Sequence, residues 1–218
     1  MSVDIKNYWQ LRLGRCAEAL AANNFAVYQA ESAEDAKEII LGEIMPGITV
    51  RSASWGDSLT MRATGILEVL RDNPAIELIE TFIPGVAREE LLENRRRALL
   101  CDLFFTGSNA VTADGKLVNL DMVGNRTAAI TFGPRHVVIC VGRNKLTTNV
   151  ATAMERIKNY AAPINALRHT NMKTPCRKTG HCLDCKSPDR ICNSWTITEK
   201  SWPKGRIRVV LINQDLGL

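Results

Sequence analysis

The stretch Cys-Asp-Leu-Phe-Phe-Thr-Gly-Ser-Asn-Ala at residues 101–110 carries the clearest indication of the fold. Residues 103–105 form a short apolar run, and small polar residues follow it directly from Thr106 onward. A short apolar run bounded in this way is typical of a β-strand. In open α/β sheets, ligands bind beyond the carboxyl ends of the strands. The stretch therefore predicts a strand that ends in a binding loop.

Strand-like and helix-like patterns alternate on both sides of this stretch. Further strands are predicted at 25–28, 48–53, 76–79, 136–141 and 206–212, and helices at 5–20, 32–44, 59–70, 87–99 and 150–161. This alternation predicts an α/β fold with a mostly parallel central sheet flanked by helices. Asp114-Gly115 lies between two short apolar runs and predicts a hairpin, which we expect near the ligand edge of the sheet.

The composition is that of a folded globular protein, with 45% hydrophobic and 23% charged residues. A net charge of +5 permits an anionic ligand but does not require nucleic acid, so no nucleic-acid partner is expected. No apolar run approaches the roughly 18 residues of a membrane span, and the first residues lack the apolar region of a secretory signal. We therefore expect a cytoplasmic protein with no membrane association and with mostly reduced cysteines.

The seven cysteines fall into two groups. Cys16, Cys101 and Cys140 stand singly in apolar patterns, which predicts buried thiols. The other four lie within 17 residues with the spacing C-x5-C-x2-C-x6-C, namely Cys176, Cys182, Cys185 and Cys192. Four thiols so close together in a reducing compartment indicate metal ligation, and the alternatives are regulatory disulfides or four unrelated thiols.

The spacing of the four cysteines leaves the metal open. Structural zinc sites are often built from two close cysteine pairs, and only Cys182 and Cys185 form such a pair. A [4Fe–4S] cluster also takes four thiolates, with looser spacing rules. His181 is an alternative metal ligand that would replace one of the four thiolates, although four cysteines already suffice. We expect residues 1–169 plus 204–218 to form the α/β domain, and residues 170–203 to form a Cys-rich metal-binding appendage.

Three loops follow predicted strands and together suggest a pocket for an anionic ligand. Glycine allows close backbone approach, hydroxyls and amides donate hydrogen bonds, and a cation pairs with a carboxylate or phosphate. Helix capping at Asp57 and Ser58, and a solvated loop at 142–145, are the alternative interpretations. Arg126 and Lys145 are the expected anion ligands, whereas the Arg95–Arg97 triplet fits a solvated helix face. The candidate residues are Gly56, Asp57, Ser58, Thr60, Gly107, Asn109, Asp121, Asn125, Arg126, Asn144 and Lys145.

Six stretches of the chain stand out together: WGDSLT at 55–60, DLFFTGSNAV at 102–111, GNR at 124–126, GRNK at 142–145, APINA at 162–166 and the cysteine segment at 174–193. They resemble the lactate-utilization (LUD) domain proteins, small bacterial proteins encoded with lactate oxidation genes, and the cysteine segment resembles the mark of a short subgroup with a C-terminal four-cysteine motif. The resemblance covers nearly the whole chain. It implies the fold of ribose-phosphate isomerase, glucosamine-phosphate deaminase and CoA transferases. The family's association with iron–sulfur redox proteins favours the [4Fe–4S] cluster over zinc.

Three functions are compatible with this resemblance. The first is a component of the oxidation of lactate or a related 2-hydroxy acid, with an iron–sulfur cluster that relays electrons. The second is an isomerase- or transferase-like enzyme on a phosphorylated sugar or thioester, with a structural zinc. The third is a non-catalytic subunit that docks on an iron–sulfur oxidoreductase. A small anionic metabolite is the expected ligand, and an oxidoreductase subunit is the expected protein partner.

Overall fold

The computed structural model describes residues 3–218, which contain ten strands and nine α-helices. The strands are β1 (Ala26–Ala30), β2 (Ser52–Trp55), β3 (Glu77–Ile79), β4 (Leu103–Gly107), β5 (Ala110–Thr112), β6 (Leu117–Asp121), β7 (His136–Gly142), β8 (Leu146–Thr147), β9 (Ser194–Thr198) and β10 (Ile207–Ile212). The helices are α1 (Val3–Ala22), α2 (Ala33–Ile39), α3 (Leu59–Ala63), α4 (Ile66–Arg71), α5 (Arg88–Arg97), α6 (Asn125–Thr131), α7 (Val150–Arg156), α8 (Ala162–Leu167) and α9 (Cys176–Thr179). Single π-helical turns at Ile40–Ile44 and Ile157–Ala161 extend α2 and α7.

The centre of the protein is a six-stranded sheet in the order β1-β10-β7-β4-β2-β3, and all five pairings are parallel. This confirms the predicted α/β class and its mostly parallel sheet. From β2 the chain passes to β3 on one side and then returns to β4 on the other side. The carboxyl ends of β2 and β4 therefore flank a topological switch point, the usual place for a ligand in such sheets.

Strand β7 shows why both faces of this sheet are covered. Val137, Ile139 and Val141 pack with α1 and α6 on one face. Val138 and Cys140 point to the opposite face and pack with α2, α3 and α4. Successive side chains of a strand alternate between faces, so an almost continuous apolar strand requires a helical layer on each side.

A second, four-stranded sheet has the order β8-β5-β6-β9 and packs between the α1 layer and α7. Its outermost strand β9 pairs antiparallel with β6. The segment 170–203 is therefore only partly an appendage, because its residues 194–198 belong to this sheet.

The β5–β6 hairpin differs from its expected placement. Its tip contacts the end of α1, where Asn23 Nδ2 donates hydrogen bonds to the carbonyls of Asp114 and Gly115 at 3.1 and 3.0 Å. Gly115 has φ +79°, and a Cβ there would overlap the backbone of Ala19. The tip is thus held away from the ligand edge, and only the base of the hairpin lies there.

The three single cysteines are buried in the core, as expected from their apolar surroundings. Cys16, Cys101 and Cys140 are at most 1% exposed. Burial raises the pKa of each thiol to about 12, so all three are uncharged at neutral pH. These thiols act as small apolar side chains.

Across residues 3–218, no helix has both the length and the apolar character that a membrane crossing requires.

Candidate functional site

A cleft of about 480 Å³ lies at the switch point of the large sheet. Residues that follow β2, β4, β6 and β7 line it, which matches the three-loop pocket expected from the sequence. Eight of the eleven candidate residues contribute to its lining: Asp57, Ser58, Gly107, Asn109, Asp121, Asn125, Arg126 and Lys145. The loops therefore converge on one space.

Two glycines allow the loops to pack this closely. A Cβ at Gly56 would lie 2.9 Å from Arg126 Cγ, and a Cβ at Gly107 would overlap Ser58 Oγ. Ser58 also caps α3, because its Oγ accepts a hydrogen bond from Met61 N at 3.2 Å. The capping interpretation and the cleft interpretation are thus both correct for this residue.

The side chain of Arg126 holds the loops together. Its Nε donates to Asp121 Oδ1 at 3.1 Å, and its two terminal nitrogens donate to Gly107 O, Asn119 Oδ1, Asn109 Oδ1 and Leu120 O. These five bonds use all five N–H donors of a guanidinium. Arg126 is 8% exposed and has no donor left for a ligand. Its geometry is that of a structural clamp rather than the anion ligand expected from the sequence.

Lys145 differs from Arg126 in having no partner. Its side chain lines the cleft and is 5% exposed, and it forms no hydrogen bond or ion pair with any residue of 3–218. Burial, followed by the charges of Arg126 and Arg156, lowers the pKa of its ammonium to about 7. A buried amine without an acidic partner is the feature of the cleft that most strongly indicates a ligand.

Two further cations of the cleft, Arg88 and Arg95, were missed in the sequence. Neither forms an ion pair within the described chain, and both line the cleft. Arg95 lies 4.7 Å from the centre of the Phe82 ring, and its buried Nε has no hydrogen-bond partner. The run of three arginines in α5 suggested only a solvated face, because nothing local shows which of them turns inward. His169 also lines the cleft and was not assigned to it.

The remaining three candidates lie just outside the cleft lining. Gly56 contacts Arg126, whereas Thr60 and Asn144 bind the last residues of the chain. Thr60 Oγ1 donates to Leu216 O at 2.9 Å, and Asn144 Oδ1 accepts from Leu216 N at 3.1 Å. Leu218 then reaches the cleft wall. Thr60 and Asn144 therefore hold the last residues of the chain, which form part of the cleft wall, and do not face the cleft themselves.

The four clustered cysteines line a second, small cavity of about 20 Å³. The amide of Asp184 donates to Cys182 Sγ at 3.3 Å, within the Cys-x2-Cys turn. Arg190 ties the segment together, because it donates to the carbonyls of Cys185 and Cys192 at 2.6 and 2.8 Å. The four cysteines therefore line one space, and their role as metal ligands stays a prediction.

The four thiols are the ligand type that a four-thiolate metal group requires, and they line one cavity. N–H···S hydrogen bonds and nearby cations offset the negative charge of thiolates. The backbone N–H of Asp184 supplies such a bond, and Arg190 and Lys158 supply the positive charge. Within residues 3–218, however, no three His, Cys, Asp or Glu side chains already form a metal site. Binding would draw the sulfurs together, as expected where metal binding and local folding are coupled.

The cleft and the cysteine cavity share a wall. Ala162 and Ile191 line both spaces. Asn193 fastens this wall to the loop after β6, because its backbone N–H donates to Asp121 O at 2.8 Å and its Nδ2 donates to Met122 O at 3.1 Å. Ile191, the residue before Cys192, therefore borders the cleft directly.

Comparison with known proteins agrees with this architecture. A DUF162 family protein from Deinococcus radiodurans, known from its crystal structure, is similar in fold with a TM-score of 0.52 and 12% sequence identity. The similarity covers 94% of this chain and 98% of that protein. No curated protein matches the sequence. The LUD domain family matches residues 13–212, so this chain belongs to the LUD domain family.

Proposed function

We propose that this protein takes part in the oxidation of lactate or a related 2-hydroxy acid. In this proposal the cleft binds the small carboxylate, and the four cysteines hold a [4Fe–4S] cluster. The observation that carries the proposal is the wall of Ala162 and Ile191, which separates a cationic cleft from a cavity lined by four thiols. Membership of the LUD domain family supports a role connected with lactate utilization.

The charges of the cleft favour a small anion. Two acids of the lining are neutralised, because Asp57 is paired with Arg62 at 2.8 Å and Asp121 with Arg126 at 3.1 Å. A third acid, Asp189, accepts the backbone N–H of Lys173 at 2.8 Å and forms no ion pair with residues 3–218. Lys145, Arg88 and Arg95 form no ion pair with residues 3–218, and all three line the cleft. A carboxylate placed there gains charge-assisted hydrogen bonds without displacing an existing acid.

The surroundings of the four cysteines favour an anionic metal–sulfur group. Cys176, Cys182, Cys185 and Cys192 would hold it, and Lys158 and Arg190 would offset its charge. A bound cluster of this kind supplies one-electron transfer. Oxidation of a 2-hydroxy acid to a 2-oxo acid releases two electrons and two protons. An iron–sulfur oxidoreductase subunit as partner would complete the transfer.

This assignment implies a division of labour along the chain. Residues 1–169 and 204–218 supply the loops that bind the metabolite, and the segment 170–203 carries the metal and adds one wall of the cleft, which includes Asp189 and Ile191. A cytoplasmic location suits it, because a reducing compartment keeps the four thiols free for ligation.

The second candidate is an isomerase- or transferase-like enzyme on a phosphorylated sugar or thioester. A cleft of about 480 Å³ with three unpaired cations also suits a phosphate ester. In that case the four thiols would hold a structural zinc, which needs the same number of sulfur ligands.

Anaerobic purification followed by iron, sulfide and zinc analysis distinguishes the redox function from the isomerase- or transferase-like function. The proposed function predicts brown protein with iron and sulfide in equal amounts, a visible absorbance that dithionite bleaches, and loss of both in Cys185→Ser. Colourless protein with one zinc per chain would contradict the redox role and favour the second candidate.

A further inference from the structure

The buried amine of Lys145 has a chemistry that anion binding alone does not use. Its side chain is 5% exposed and faces a cleft large enough for a small metabolite. Within residues 3–218 it forms no ion pair with an acid. Asp57 and Asp121 are bound to Arg62 and Arg126, and Asp189 accepts the backbone N–H of Lys173. The nitrogen is thus left free toward the ligand space.

The groups around Lys145 are fixed by other bonds. Arg126 donates all its N–H groups inside the protein, and Arg156 donates to the carbonyls of Asn144 and Asn109, both at 3.1 Å. These two guanidiniums stay near the amine without contacting it as partners. Their charges and the low exposure oppose protonation of the lysine.

We propose that the Lys145 amine attacks the carbonyl carbon of a small 2-oxo acid held in the cleft and forms an imine with it. The choice of a 2-oxo acid rests on the proposed function, in which such an acid is the oxidation product. Arg88 and Arg95 supply the positive charge for its carboxylate, and Asn109 supplies a free Nδ2 donor on the cleft wall.

The step balances without an external oxidant or reductant. The nitrogen lone pair forms a C–N bond, and the carbonyl oxygen leaves as water with the two protons that the neutral amine carried. The product is a C=N bond between Lys145 Nζ and the former carbonyl carbon. The amine must be neutral to react, and a pKa of about 7 leaves a large neutral fraction at physiological pH.

Trapping with sodium cyanoborohydride tests this step. The reagent reduces an imine to a stable secondary amine, so incubation of the metal-loaded protein with pyruvate adds one reduced pyruvyl group per chain. Peptide mapping is expected to find that group on Lys145 and to find no comparable labelling of Lys204, an exposed lysine. Acetate, which has no ketone, is expected to leave no adduct, and Lys145→Met is expected to lose the adduct.

The map of the unaltered protein decides the question even where Lys145→Met folds poorly. An adduct on Lys145 supports the proposal whatever the metal analysis finds. Equal labelling of Lys145 and Lys204, or none on Lys145, overturns it, and it does so even where pyruvate binds and the iron–sulfur analysis succeeds.

Discussion

The ligand cleft and the four-cysteine segment share a wall, but they are held in shape by different means. The cleft loops follow core strands and are joined by the five hydrogen bonds of Arg126, which is 8% exposed. Residues 170–193 contain one regular element, the four-residue helix α9, and all four cysteine side chains are partly exposed. We therefore expect the cleft to keep its shape without a ligand, and we expect the segment to depend on the metal group that its thiols hold in the proposed function.

Loss of one central thiol tests this difference most severely. Cys185→Ser is expected to abolish metal binding and to unfold residues 174–194, because no apolar core of its own holds this segment. The α/β domain should stay folded, since its two core clusters do not include Cys185. Metal analysis and hydrogen exchange measure both effects.

His181→Ala is the matched control for this variant, since His181 lies in the same segment and is exposed. Retained metal in His181→Ala together with lost metal in Cys185→Ser would assign ligation to the thiols. Stoichiometric metal in a Cys176→Ser, Cys185→Ser double variant would show that the ion lies elsewhere.

On the cleft side, removal of Arg126 is expected to cause the largest loss of free energy of unfolding. Arg126→Met leaves Asp121 and the Asn109 and Asn119 side chains without their buried partner. Breaking a buried ion pair by removing one partner costs about 3–5 kcal/mol. Urea denaturation measures this loss, and Arg96→Met, at a side chain that is 70% exposed, should cost no more than about 0.5 kcal/mol. Equal stability of the two variants would mean that the network does not hold the cleft.

Removal of the Lys145 amine should act in the opposite direction, because a buried charge without a partner destabilises the fold. The folded protein lowers the lysine pKa to about 7, from about 10.4 in the unfolded chain. Between these values the unfolded chain binds more protons, so the stability of the unaltered protein rises with pH. Lys145→Met should therefore be more stable by about 4 to 5 kcal/mol below pH 7, and this advantage should vanish above about pH 10.

Urea denaturation at pH 6 and pH 9 measures the change, and the groups that bear on it are Arg126, Arg156 and the Cys140 thiol. Lys204→Met serves as the control, since an exposed lysine should give a pH-independent difference. A Lys145→Met difference that is the same at both pH values would contradict a lowered pKa at this position.

The two regions also differ in how well the sequence predicted them. Glycine and small polar residues after a strand are a local signal, so Gly107 and Asn109 could be placed at the cleft from the sequence alone. Whether an arginine faces a ligand depends on residues far along the chain. Arg126 was therefore expected to bind an anion that its bonds exclude, and Arg95, beside Phe82, was assigned to solvent.

Strand β9 shows the same limit at the level of the fold. Its pairing with β6 joins segments that are distant in the sequence. Because the cysteines precede β9 directly, the whole segment 170–203 was predicted as one appendage. The spacing of those cysteines, in contrast, is a local pattern, and the four thiols that it groups line one cavity.

The smallest expected effect concerns the shared wall. If the cysteine segment forms a side of the cleft, then metal removal should weaken binding of pyruvate although every cleft loop is intact. We expect about a tenfold loss of affinity, which is about 1.4 kcal/mol, when metal-loaded and chelator-treated proteins are compared by calorimetry. Asn193→Ala weakens the attachment of this wall without touching a thiol, because it removes the Nδ2 bonds to Met122 O and to Arg190 O. Each lost hydrogen bond is worth about 1 kcal/mol of local stability, and the backbone bond of Asn193 to Asp121 O remains, so a smaller loss of affinity with full metal content is expected. Unchanged pyruvate affinity in both samples would show that the two regions meet without influencing one another.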